Sequence, residues 1–337
     1  MRLYFKIIKH TFNAAKYLSF GKIINLSKLY FSYLSSQKKA NFHHKTLPSF
    51  ISVEPYNFCQ LKCPECPVSQ RELTNKMYID EKNYQKVVDE LKETLLHIIF
   101  YFQGEPLINK NLAKLINYAH KAKIFTSTST NAQLLNSDKA REIVLSGLDK
   151  LIISIDGSTQ EVYEKYRIGG KLDKAVQGVK NIVAWKKKLK SITPFVEIQF
   201  IVFKTNEHQM RDMKRLAKSL HADRLVFKTA QLYDFENGHE LLTSIDKYAR
   251  YKMGNDGKYH IKNKLENRCL RLWSGAVVNA NGDLVPCCFD KNTNYAFGNI
   301  GTKDFSTVWH NKRASDFRES ILQNRKQYEM CRNCTSK

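Results

Sequence analysis

Phe50-Ile51-Ser52-Val53-Glu54-Pro55-Tyr56-Asn57-Phe58-Cys59-Gln60-Leu61-Lys62-Cys63-Pro64-Glu65-Cys66 is the stretch that decides this chain. A short apolar, β-rich run is followed at once by a C-x3-C-x2-C triplet. That spacing lets one loop wrap a corner of an iron–sulfur cube and bring three thiolates to three of its irons. A closed structural site would use four ligands, so three cysteines imply one iron left open to a small molecule.

Working outward, the pattern after residue 50 alternates short β-rich runs with helical stretches. The runs are Phe50–Val53, His97–Phe102, Ile124–Ser129, Lys150–Ile155, Phe195–Phe203 and Arg224–Lys228. Helical periodicity falls near 80–94, 111–121, 138–146, 159–189 and 207–220, with Asp80, Ser137 or Asp138, and Asn206 as candidate caps. Six strands alternating with helices predict a parallel sheet with right-handed crossovers. Six is short of a closed eight-stranded barrel, so an α/β fold built on a partial (β/α)6 barrel is expected. Its chemistry should sit at the C-terminal strand ends, where the triplet lies.

Eight cysteines group as three and then five (Cys269, Cys287, Cys288, Cys331, Cys334), which reads as metal ligation in a reducing compartment rather than a disulfide scaffold. No cleavable signal is evident, so the cytoplasm is expected. After about residue 240 the character changes. Gly254-Asn255-Asp256-Gly257 reads as a turn, and Asn281-Gly282 as the turn of a hairpin formed by Ala276–Ala280 and Asp283–Pro286. The expected organisation is a basic amphipathic helical extension over 1–48, the barrel over 49–240 and a small cysteine-rich α+β domain over 241–337.

The 337 residues carry a net charge of +23, and residues 1–50 contribute Arg2, Lys6, Lys9, Lys16, Lys22, Lys28, Lys38, Lys39 and Lys45 without one Asp or Glu. Phe5, Ile8, Phe12, Ile23, Leu26, Tyr30 and Leu34 recur between them at helical spacing. Two arrangements fit. The segment lies on the anionic inner face of a membrane, or it packs on the main domain with a solvated basic rim. No recognisable nucleic-acid-binding module accompanies the charge.

Further motifs follow the later strands: Gln103-Gly104-Glu105-Pro106, Thr130-Asn131-Ala132 and Ser154-Ile155-Asp156-Gly157. Triplet and motifs, in this order, resemble the radical S-adenosylmethionine superfamily from about residue 50 to 230. The resemblance implies a 4Fe–4S cluster on Cys59, Cys63 and Cys66, whose open iron chelates the methionine moiety of S-adenosylmethionine. Reductive cleavage then gives a 5′-deoxyadenosyl radical that abstracts hydrogen from an unactivated carbon. It places Gly104, Glu105 and Pro106 at the methionine amino group, Ser154 and Asp156 near the nucleoside, and Arg167 on the methionine carboxylate. The alternative for Arg167 is a surface salt bridge, and for Thr130 and Asn131 strand-end turn chemistry. Two positions depart from the pattern: Glu65 stands where an aromatic residue usually helps to hold adenine, and Gln103 replaces the first of two glycines.

Cys269, Cys287, Cys331 and Cys334, at separations of 18, 44 and 3 residues, resemble the SPASM/twitch class of C-terminal extensions together with Trp273, Gly298-Asn299-Ile300 and Trp309. The resemblance implies a second, auxiliary 4Fe–4S cluster closed by four thiolates and acting as an electron relay. Zinc is the alternative metal for four cysteines. Cys288, opposite Cys287 on an extended strand, is expected to be a packed bystander. Gln199, Lys228 and Gln231 are the expected substrate contacts by position. The functional expectation is a radical oxidoreductase acting on a sugar, aminocyclitol or glycan-type substrate, including a lipid-linked one to which the N-terminal segment would bring it. The alternatives are a maturase modifying a ribosomal peptide or protein, and a metal-bound scaffold. An external electron donor of flavodoxin or ferredoxin type is implied for either enzyme.

Overall fold

A computed structural model describes residues 15–39, 45–70 and 75–335. Of the N-terminal expectations, those on Phe5, Ile8 and Phe12 lie outside the described residues.

Six strands form in chain order: β1 (Phe50–Val53), β2 (His97–Phe100), β3 (Phe125–Thr130), β4 (Lys150–Ser154), β5 (Phe195–Val202) and β6 (Arg224–Thr229). Each pairs in parallel with the next, so spatial order follows sequence order, as in part of a barrel. The β-rich runs place each strand within a residue or two. Helices 81–91, 112–121, 137–145, 172–188 and 210–219 return the chain between strands. Asp80 caps the first of these by accepting from the Asn83 N–H at 2.8 Å.

Three local expectations change. The cap of helix 137–145 is Asn136, whose carbonyl accepts from the Lys139 N–H, so the cap lies one residue earlier than Ser137 or Asp138. The stretch 159–189 breaks into helices 160–166 and 172–188, because Gly169 takes a φ of +81° between them. Asn206 does not cap helix 210–219 with its side chain. Its amide instead donates to the Asp156 and Ile201 carbonyls at 3.0 and 2.9 Å, tying the ends of β4 and β5.

The C-terminal segment joins the same sheet. After a hairpin of β7 (Tyr251–Met253) and β8 (Tyr259–Ile261) around the predicted turn, β9 (Gly275–Val278) pairs in parallel with β1, and β10 (Asp283–Val285) and β11 (Gly298–Asn299) follow antiparallel. The sheet therefore has nine strands, in the order β11-β10-β9-β1-β2-β3-β4-β5-β6. One apolar core runs through it, from Leu29 and Tyr33 of helix 20–39 through Ile51, Phe100 and Ile198 to Trp273 and Trp309.

Helix 20–39 and the residues before it cross the base of the sheet, where the strands begin. Tyr17 donates to Asp149, just ahead of β4, at 2.7 Å. Lys22 donates to the Lys123 carbonyl ahead of β3 at 2.6 Å, and Asn25 to the Leu47 carbonyl ahead of β1 at 2.9 Å. Tyr33 meets Trp273, ahead of β9, edge to face. Among the described residues no helix is long and apolar enough to cross a membrane.

Candidate active site

The opposite rim, where β1 to β6 end, surrounds a cavity of about 540 Å³. Its lining brings together Cys59, Cys63 and Cys66 with Gly104, Glu105, Ser154 and Arg167, drawn from the ends of three strands, β1, β2 and β4, or the loops after them. Gln199, Lys228 and Gln231 line it as well. Pro106 and Asp156 do not reach it.

Close approach of backbone to backbone builds the triplet's corner. A Cβ on Gly104 would lie 2.0 Å from the Tyr56 carbonyl oxygen and 2.8 Å from the Phe58 nitrogen, so only glycine lets this loop touch the one leading to Cys59. Glu105 then locks the arrangement. Its buried carboxylate accepts from the Thr130 hydroxyl at 2.6 Å, the Asn131 N–H at 2.9 Å and the Leu107 N–H at 3.1 Å. Burial raises its pKa, and those donors oppose the rise. Glu105 thus faces into protein, and what its loop offers the cavity is main chain.

Arg167 is far from a surface ion pair. Its Nε donates to Asp156 at 2.6 Å, with the Asp156 carboxylate wholly buried and also accepting from the Ile201 N–H at 2.6 Å. Burial works against the guanidinium charge, but the Asp156 carboxylate more than offsets it, so the charge is held. Asp156 is therefore a positioning residue behind Arg167, aimed away from the cavity because two donors at the sheet's end claim both its oxygens.

Several N–H groups already point at the triplet. Asn131 Nδ2 and the Leu61 N–H each lie 3.5 Å from Cys59 Sγ, and Arg167 Nη1 lies 3.8 Å from Cys63 Sγ. Ser69 donates to the carbonyls of Cys63 and Cys66, which fixes the loop's curl. Burial pushes the Cys59 thiol up to about 12 and the Cys63 thiol up as well, so metal must displace protons to bind. These residues fit a cluster held on sulfur with N–H donors around it.

Glu65 lines the cavity, but its carboxylate is taken up by the segment after β6. Its carboxylate accepts from the Tyr233 N–H at 2.9 Å and lies 3.3 Å from His239 Nε2, bolting the cysteine loop to the segment after β6. Aromatic surface comes instead from Tyr166, Phe203 and Tyr233 on the cavity wall, Tyr166 and Phe203 having ring centroids 4.2 Å apart.

The second cysteine set is buried: Cys269, Cys287, Cys331 and Cys334 are each under a tenth exposed. Arg325 Nη2 donates to Cys334 Sγ at 3.3 Å, and Arg271 lies within electrostatic reach of Cys269, Cys287 and Cys334. All eight cysteines are free thiols. Among the described residues no three His, Cys, Asp or Glu converge on one ion.

Cys288 is not packed away from the cavity. β10 stops at Val285, so strand alternation does not govern it, and its side chain lines the cavity with the triplet. A hydrogen bond with Cys287, then the Lys291 and Arg271 cations, favours one thiolate in that pair. Sequence spacing alone held no signal for this. Glu54, at the end of β1, was missed too: it accepts N–H bonds from Gln103, Gly104 and Ala280.

Against known families, residues 53–220 match the radical SAM superfamily and residues 269–335 match SPASM, an iron–sulfur cluster-binding domain. The chain belongs to the radical SAM superfamily. This radical SAM enzyme thus takes iron–sulfur clusters and S-adenosylmethionine, and carries a SPASM domain. It is similar to the S-adenosyl-L-methionine-dependent 2-deoxy-scyllo-inosamine dehydrogenase of Niallia circulans, 24% identical over 86% of this chain and 93% of that one. It is also similar to the PqqA peptide cyclase of Gluconobacter oxydans, 26% identical over 79% of this chain and 78% of that one. In fold it resembles Streptococcus suis SuiB bound to its precursor peptide SuiA, with a TM-score of 0.62 at 16% identity over 85% of this chain and 70% of that one.

Proposed function

We propose that this enzyme abstracts hydrogen from a hydroxyl-rich small molecule of the sugar, aminocyclitol or glycan class and oxidises it. In this reading Cys59, Cys63 and Cys66 hold the cofactor-binding cluster, and Cys269, Cys287, Cys331 and Cys334 hold an auxiliary one. Bound together, the first cluster and S-adenosylmethionine supply a 5′-deoxyadenosyl radical when reduced. The chain's own part is placement. Main chain at Gly104–Pro106 receives the methionine amino group, Arg167 receives its carboxylate with Asp156 holding the guanidinium, and Ser154 borders the nucleoside.

One observation carries the substrate class. Gln231, Tyr233 and Lys291 also line a neighbouring cavity of about 410 Å³, together with Asp290, Asn292 and Asn294. Amides and carboxylates interleaved with Tyr and Phe suit hydroxyl groups on a compact ring. An electron leaving the substrate has a short protein path to the auxiliary site. Asn333, between Cys331 and Cys334, donates to the Leu232 carbonyl at 2.6 Å, and the cavity residue Arg250 donates to the Asn333 carbonyl at 3.2 Å. A net charge of +23 suits an acidic external donor of flavodoxin or ferredoxin type, and eight free thiols suit a reducing, cytoplasmic setting. The similarity to a peptide cyclase supports a second reading, a maturase acting on a ribosomal peptide.

Anaerobically reconstituted enzyme should hold about eight iron per chain and form 5′-deoxyadenosine under reduction. Turnover coupled to oxidation of a polyol or aminocyclitol supports the first reading. Coupling to peptides alone overturns it in favour of the second.

A further inference from the structure

Helix 20–39 is docked by its polar side. Lys22, Asn25, Leu29, Tyr33 and Ser36 face the body of the protein and are buried. The reason lies in the base of the sheet, which presents the Lys123 and Leu47 carbonyls and the Asp149 carboxylate and so requires donors, supplied by Lys22, Asn25 and Tyr17. The helix's large apolar side chains are thereby turned to solvent. Phe20 is 79% exposed, Phe31 69%, Tyr30 52% and Ile23 48%, with Ile24 and Leu34 completing the stripe. Spaced at i, i+3, i+4, i+10, i+11 and i+14, they form one continuous face about 21 Å long. Of the two arrangements the sequence left open, the helix does pack on the main domain, but with Ile23, Tyr30 and Leu34 pointing outward.

We infer that this stripe seats the enzyme on an anionic phospholipid surface, with the active-site mouth facing away from it. Charge decides between a lipid surface and a second copy of the chain. Residues 1–50 carry nine cations and no anion, and exposed Lys28 flanks the stripe. Two such helices paired face to face would oppose like charges, whereas an acidic headgroup layer neutralises them while the apolar face enters the acyl boundary. The anchors fix the orientation. They all precede strands, and the thiol triplet, Arg167 and Gln199 lie where strands end, so the stripe and the mouth occupy opposite ends of the barrel. Substrate is therefore received from the aqueous side. This inference stands independently of the substrate class, but it turns the mouth away from any headgroup in the same membrane.

Flotation of the full chain with phosphatidylcholine vesicles, with and without phosphatidylglycerol, tests it. The parent should float only with the anionic vesicles and be released by salt. The double variant Ile23→Ser/Phe31→Ser should lose at least about tenfold in partition, because each large apolar side chain withdrawn from the lipid is worth about a decade or more. Lys28→Glu should weaken binding as well, and both variants should melt with the parent because the altered positions are solvent-exposed. Equal flotation of parent and double variant, or equal binding to neutral vesicles, overturns the proposal. So does a dimer in solution that the double variant converts to monomer, which would assign the stripe to a second copy. Formation of 5′-deoxyadenosine at the same rate on and off vesicles is expected, and its suppression on vesicles would overturn the stated orientation.

Discussion

Replacing Asp156 with asparagine tests the claim that this residue holds Arg167 rather than touching cofactor. The pair is buried, with side chains 0% and 14% exposed, and Asp156 also accepts from the Ile201 N–H. Asparagine keeps an oxygen for Ile201 but turns an amide donor toward the guanidinium, leaving a buried cation without its counter-charge. Removing one partner of such a pair costs about 3–5 kcal/mol, which is about two to three and a half decades in the unfolding equilibrium. With a urea slope of about 3 kcal/mol per M, the midpoint should fall by about 1–1.7 M. The assay is equilibrium unfolding of iron-free protein, so that no cofactor contributes. The control is Asp156→Asn/Arg167→Met, which removes the stranded charge and should be more stable than Asp156→Asn alone. A single variant within about 0.5 kcal/mol of the parent, or a double variant that loses the sum of both singles, would refute the reasoning.

Gly104→Ala drives a methyl group into the Tyr56 carbonyl and the Phe58 backbone; it should cost about 3 kcal/mol and, by displacing the chain beside Cys59, lower 5′-deoxyadenosine formation about a hundredfold, so parent-like rates would contradict the close-approach argument. Cys287→Ala should leave about four of eight iron atoms per chain, while Cys288→Ala should keep all of them; the opposite result would exchange the roles of the two thiols. Burial, with Lys150 nearby, lowers the His97 pKa to about 4 from the ordinary 6.5. The unfolded chain therefore takes up the proton first, and stability present above pH 6.5 is lost as pH falls toward 4, by at most about 3 kcal/mol. Acid titration of stability in His97→Gln should lack this component; an unchanged slope would remove His97 as its source.

The parallel strands were legible because each is a short, continuous β-rich run, bounded by caps and turns, that needs no partner to be recognised. The hairpin at Asn281-Gly282 was legible for the same local reason, Gly282 taking a φ of +87°. What joins that hairpin to the rest was not. β9 pairs with β1 across more than two hundred residues, and nothing in Gly275–Val278 names its partner. The cysteine triplet and the Gly104 loop were visible as motifs, yet their supports were invisible: Glu54, Asn206 and Glu65 act through distant backbone groups that spacing does not encode. The direction of helix 20–39 was left open because periodicity reveals an apolar face without saying which way it points. Here unpaired carbonyls at the base of the sheet outcompeted it.

Glu54 shows why these supports matter to the chemistry. At the end of the strand that starts the barrel, it accepts from Gln103 and Gly104 on one side and from Ala280 on the other. Burial raises its pKa, and those backbone donors, with the Lys291 cation, oppose the rise. A single carboxylate therefore ties the Gln103-Gly104 loop to the hairpin that leads to Cys287 and Cys288. Because β9 lies beside β1 and β10 beside β9, the loop that carries Cys287 leaves the same sheet as the triplet, two strands away. The position of Cys287 relative to the triplet then rests on backbone hydrogen bonds, which hold only while the hairpin stays in register with β1. Radical enzymes must keep such spacings through many turnovers, and a buried carboxylate with three backbone donors is a stiffer clamp than any apolar contact at the same place.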